Sequence, residues 1–127
     1  MMRNIVAILL LSALPGIASA CGACVEDKVA ATYDHHVVTS ALAHKHVAVF
    51  AAVEGSGGAK ALAGAAKKAA TRIGGIDASS VRAAHEPAAA LAFAIDPGKQ
   101  TPERALLAIE QGVTDKPVKL TLLRVLQ

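Results

Sequence analysis

The sequence predicts an α+β protein: a four-stranded antiparallel sheet with two crossover helices on one face, preceded by a separate N-terminal helix. Three observations carry this. The spacing of apolar residues changes from about four to two near His46. Two later stretches have the period, the starts and the glycine stops of helices. Apolar runs of strand length alternate with them in the order β-α-β-β-α-β. Composition agrees: of 127 residues, 54% are hydrophobic and 18% charged, which excludes a disordered chain, and the length leaves no room for a second large domain. With 29 alanines, no Trp, one Tyr and two Phe, the core must be aliphatic and modest in volume.

Residues 1–20 read as a secretory signal peptide. Arg3 is the positive n-region, Ile5 to Leu14 a ten-residue apolar run, Pro15-Gly16 a break, and Ala18-Ser19-Ala20 a small-residue cleavage site. A run this short does not span roughly 30 Å of hydrocarbon as a helix. Cleavage after Ala20 makes Cys21 the first residue of a periplasmic or secreted chain with no membrane span, and a lipid anchor on Cys21 is the alternative outcome at the same position. The formal net charge of +3 falls by one with Arg3, too little and too dispersed for nucleic acid. The local basic cluster of Lys67, Lys68 and Arg72 has the spacing of a solvated helix face.

The rest divides into an N-terminal segment, residues 21–45, and a domain, residues 46–127. Val25 to Ala43 lacks Gly and Pro and places Val25, Val29, Tyr33, Val37 and Ala41 four apart, so it is expected as one amphipathic helix. Its acids Glu26 and Asp27 suit the helix start, and His44, Lys45 and His46 suit the end. His46 to Val53 then alternates as a strand, with Val47, Val49, Ala51 and Val53 opposite Ala48, Phe50 and Ala52. After the Glu54 to Gly58 turn, Ala59 to Ile73 reads as a helix with Leu62, Ala66, Ala69 and Ile73 inward, stopped by Gly74-Gly75.

A second strand is expected over Val81 to Glu86 and a third over Ala88 to Ile95, with Pro87 at the turn. Thr101 as cap and Pro102 at the first position start a helix that ends at Gly112. Val118 to Val125 alternates as the last strand, with Leu120, Leu122 and Arg124 on one side. This order is the split βαβ, or ferredoxin-like, arrangement, which by itself carries no function.

From His46 onward the chain resembles the heavy-metal-associated domain family, the fold of soluble copper chaperones, periplasmic mercury carriers and the N-terminal modules of metal-transporting ATPases. The resemblance rests on Val53-Glu-Gly55, Gly74-Gly-Ile76, Phe93-Ala-Ile-Asp-Pro97 before Thr101-Pro-Glu, and Leu106-Leu-Ala-Ile-Glu-Gln-Gly112. It implies the ferredoxin-like fold and an association with soft metal ions. The family holds its ion on a Gly-Met-x-Cys-x-x-Cys loop after the first strand. Counting from Gly55, those cysteines fall at Gly58 and Ala61, so the family's site is missing while the scaffold remains.

Ligand chemistry lies instead at the start of the mature chain. Cys21-Gly-Ala-Cys24 is a C-x-x-C whose two thiolates suit Cu(I), Zn(II) or Hg(II). The same pair can close a short disulfide or act as a redox dithiol. His35, His36, His44 and His46 follow, and imidazole suits copper and zinc. On a continuous helix Cys24 and His35 lie about 16 Å apart, and His36 and His44 about 12 Å. His44 and His46 converge if the helix ends there, since residues two apart in an extended segment point the same way. Each histidine read alone is a solvated surface residue, and His85 is a half-exposed strand residue without a visible partner. Tyr33 and Asp34 stand beside the histidines as candidate hydrogen-bond acceptors behind the ligands.

No G-x-S-x-G, H-E-x-x-H or phosphate-binding glycine loop is present. The expected function is that of a periplasmic or secreted metal-binding protein. Copper, as Cu(I) or Cu(II), is the first expectation, with Zn(II) or Hg(II) as alternatives, and the protein buffers, carries or presents the ion without catalysis. Its partners would be the ion and a metal transporter or other envelope protein. The alternatives are a thiol-disulfide redox protein using Cys21 and Cys24, and an envelope protein-interaction module in which the cysteines are only a staple.

Overall fold

The structure, a computed structural model, describes residues 25–55, 58–85, 88–113 and 117–127. The expected signal peptide, residues 1–20, and the Cys21–Cys24 pair lie outside them. The elements are helices α1 (Val25–Thr32) and α2 (His35–Ala43), strand β1 (Val47–Gly55), helix α3 (Ala59–Ile73), strands β2 (Ile76–Ala84) and β3 (Ala90–Ile95), helix α4 (Pro102–Gln111) and strand β4 (Val118–Leu126). The four strands form one antiparallel sheet in the order β2-β3-β1-β4. This α+β architecture, with its β-α-β-β-α-β connectivity, is compatible with a ferredoxin-like fold.

The alternation of β1 divides two cores. Val47, Val49 and Ala51 pack with Leu91, Phe93 and Ile95 of β3 against Leu62, Ala66 and Ala69 of α3 and Leu106 and Ile109 of α4. On the opposite face Ala48, Phe50 and Ala92 pack against Val29 of α1 and Val38 of α2, with Leu123 and Leu126 at the margin. The sheet is therefore covered on both sides, and each face holds one of the two phenylalanines, both fully buried. Burial on both faces is why β1 and β3 are almost unbroken apolar runs.

The N-terminal segment is two helices, where one was expected over residues 25–43. The chain breaks at Tyr33–Asp34 because Asp34 is extended and caps α2, its Oδ1 accepting from the amides of His36 at 3.0 Å and Val37 at 3.2 Å. An Asp that bonds its own following amides competes with the helix that would run through it.

Strand β2 differs from its expected start at Val81 by beginning at Ile76, directly after Gly75. Its pairing slips between Asp77 and Arg82, opposite Ala94 and Ala92, so that Ala78 to Val81 stand against Phe93 alone. Within this bulge Asp77 Oδ1 accepts from the amide and hydroxyl of Ser79, and buried Ser80 Oγ accepts from the Ala94 amide at 2.7 Å. A serine thus replaces a missing ladder bond, and the Asp-Ser composition that disguised this strand is what holds its bulge together. His85 falls one residue past the strand and is exposed.

Smaller differences have equally local causes. Strand β1 begins at Val47 and runs on through Glu54 and Gly55, and β3 begins at Ala90, two residues late. A shift in pairing between Phe50 and Ala51 leaves Leu123 unmatched in β4, which turns Arg124 away from the face of Leu120 and Leu122. Ile73, expected inward, ends α3 in an exposed position, and Ala65 is buried with the other small residues. Gly55 has φ 127°, and an added Cβ would stand 2.5 Å from the Pro117 carbonyl oxygen, so only glycine fits where β1 and β4 part.

Candidate functional site

Helix α2 ends on a turn that brings two of the expected ligands together. The His46 amide donates to the Ala41 carbonyl at 2.8 Å and the Lys45 amide to the Leu42 carbonyl at 3.1 Å, the paired bonds of a Schellman motif. Lys45 occupies the left-handed position with φ 61°, where glycine is usual. The chain reverses around it, and His44 and His46 face each other with ring centroids 6.1 Å apart, tilted by 41°. The convergence expected from an extended segment is thus produced by a helix-ending turn.

One ring is held in a defined state. His44 Nδ1 lies 2.8 Å from the Ser40 carbonyl oxygen, which can only accept, so Nδ1 carries a proton and Nε2 is the nitrogen left to face outward as a ligand in the neutral ring. This is the arrangement that orients a metal-ligating imidazole from behind. Two imidazoles on one ion at about 2.0–2.1 Å per bond place their centroids about 5–6 Å apart, so this separation is of the order a shared ion requires. His44 is exposed and His46 half-buried, so the site opens to solvent. Among the described residues no group of three or more His, Cys, Asp and Glu side chains is placed to hold an ion, so the two histidines stand without a third ligand there.

The other histidines are not brought to it. His35 and His36 are exposed at the opposite end of α2. His36 borders a polar cleft of about 280 Å³ shared with Ser40, Asp77, Ser79, Ser80 and Arg82. The polar groups of that cleft are engaged internally: Arg82 donates to Asp34 and to the Ser79 and Val81 carbonyls, and Asp77 accepts from Ser79. The 16 Å separation of Cys24 from His35 presupposed an unbroken helix, whereas α1 ends at Thr32 and α2 begins at His35, and Cys24 lies outside the described residues.

Tyr33 and Asp34 have structural roles. Tyr33 stacks on Phe50 with centroids 6.4 Å apart. Asp34 caps α2 and pairs with Arg82 at 3.1 Å. The hydrogen bond from the Val37 amide, reinforced by Arg82, holds the Asp34 carboxyl below its ordinary value, and the Arg124 guanidinium does the same for Glu26.

Arg82 and Arg124 are residues that sequence reasoning left without a role. The register Arg82↔Ala92↔Phe50↔Arg124 puts them at the two ends of one row across all four strands. Helix α1, about 12 Å long, crosses that row of about 14 Å, with Glu26 on Arg124 and Asp34 on Arg82. The available signal was the absence of any polar residue in Val47 to Val53, which announces a strand needing cover on both sides.

Among the described residues no helix is long and apolar enough to cross a membrane. Compared with known proteins, the chain matches no family model, no curated protein and no solved structure.

Proposed function

We propose that this is a periplasmic or secreted metal-binding protein, with copper its first ion, that buffers, carries or presents the metal and catalyses nothing. The observation that carries the reading is the facing pair His44 and His46 on a turn that fixes both, with the Nδ1 of His44 anchored on Ser40. Two imidazoles suit Cu(II) or Zn(II), and the C-x-x-C of Cys21 and Cys24 adds thiolates suited to Cu(I). A two-ligand site open to solvent fits an ion that is to be handed on. The scaffold, on this reading, is a relative of the heavy-metal-associated domains whose loop ligands are replaced by Gly58 and Ala61.

The test is a titration of the reduced full chain with Cu(I) under a competing chelator, and with Cu(II) or Zn(II). Wild type is compared with Cys21→Ala, Cys24→Ala and with His44→Ala, His46→Ala. The cysteine variant should lose most Cu(I) affinity and the histidine variant most Cu(II) and Zn(II) affinity. Equal affinities in all three would overturn the reading in favour of an envelope interaction module.

A further inference from the structure

The two-helix layer α1–α2 is joined to the sheet differently from the rest of the chain. Its underside contributes Val29, Val38 and Ala41, and its rim is tied by Glu26 to Arg124 on β4 and by Asp34 to Arg82 on β2, one clasp at each edge strand. It leads into the sheet through the turn at Lys45. That turn is held from both sides. Ala41 is buried and borders the same cleft as Ser80 of β2 and Ala94 of β3, and its carbonyl accepts the His46 amide that closes the turn. Lys45 sits in a conformation that non-glycine residues avoid, so the turn persists because the packing around it imposes it.

We propose that metal binding at His44 and His46 and docking of the α1–α2 layer on the sheet are one coupled equilibrium. The proposal rests on the metal reading above and assigns that site its regulation. When the layer is docked, Ala41 is fixed, the turn closes and the imidazoles face each other. When it lifts, the Ala41–His46 bond loses its support, Lys45 relaxes, and the two ligands separate. An ion that bridges the rings binds only the docked form and therefore favours it. By reciprocity, anything that loosens the layer weakens the ion. The clasps lie well away from the ligands: the row of Phe50 is roughly 13 Å along β1 from His46.

The experiment uses the full chain with Cys21→Ala and Cys24→Ala, so that thiolates do not compete, and Zn(II) as probe. Amide hydrogen exchange over residues 25–43 reports docking. Zn(II) should slow that exchange at least threefold. Arg82→Gln with Arg124→Gln should speed it without metal and weaken Zn(II) binding at least threefold. Should the clasps alone not loosen the layer, Val38→Ser on its underside must do so and weaken Zn(II) to a similar extent. A layer released by either route with Zn(II) affinity unchanged overturns the coupling and leaves the site standing. A layer that neither change releases overturns it as a separable element. Absence of Zn(II) binding in the parent removes site and coupling together.

Discussion

Lys45 is a non-glycine residue with a left-handed backbone, at the C′ position of a Schellman turn. Replacing it with glycine removes a steric cost of about 1 kcal/mol, so Lys45→Gly should raise stability to urea by about that amount. Lys45→Val, branched at Cβ, should lower it. Ser80 is the complementary case, a buried hydroxyl that accepts the Ala94 amide and donates to the Asp77 carbonyl. Ser80→Ala leaves that amide unpaired, and a loss of about 1–3 kcal/mol in denaturant unfolding is expected. Neither residue announces itself in the sequence. A lysine after a helix is ordinary, and two serines in a strand look like a loop until the partner strand supplies the amide they satisfy.

Elements built from local signals were legible, and those that depend on a distant partner were not. Helices α3 and α4 carry their own stops and caps in Gly74, Thr101, Pro102 and Gly112, and they lie where the sequence places them. The division at Asp34 depends partly on Arg82, 48 residues away, and the bulge of β2 depends on β3. Asp34→Asn should keep the cap and lose the ion pair, while Asp34→Ala loses both, so the melting temperature of α2 should fall from wild type to Asn to Ala. Because Glu26 and Asp34 are held below their ordinary values of 4.5 and 3.8, their contribution is complete above those values and is lost as pH falls through the lower values of the folded state. The α1–α2 layer should therefore loosen on acidification below pH 4.5. Tyr33, the single tyrosine, stacks on Phe50 and reports this by its fluorescence. The loop at the start of α3 is a separate test of the proposed kinship: Gly58 has φ −77° and open space where a Cβ would stand. Gly58→Cys with Ala61→Cys should add a soft-metal site there, and no gain in Cu(I) binding would count against the register.

For the whole molecule, the central fact is a sheet covered on both faces, by α3 and α4 on one side and by α1 and α2 on the other. The first face was readable from the β-α-β-β-α-β order, because crossover helices must return over one side of the sheet. For the second, the all-apolar run Val47 to Val53 signalled a need for cover but not what supplies it, because the N-terminal segment shares no pattern with the strands it covers. Both sheet edges are blunted: β2 by its bulge, and β4 by its unmatched Leu123 and by Glu110, whose carboxylate accepts the Leu120 amide at 3.0 Å. The cooperative melt should survive Cys21→Ala with Cys24→Ala, since every strand and both crossover helices lie C-terminal to those residues. Among the described residues, the turn after α2 brings the rings of His44 and His46 together, and electron paramagnetic resonance of Cu(II) added to the full chain tests that site most directly. Nitrogen splitting from two imidazoles, diminished in both His44→Ala and His46→Ala, is the predicted result. An unchanged spectrum in the double variant would contradict it.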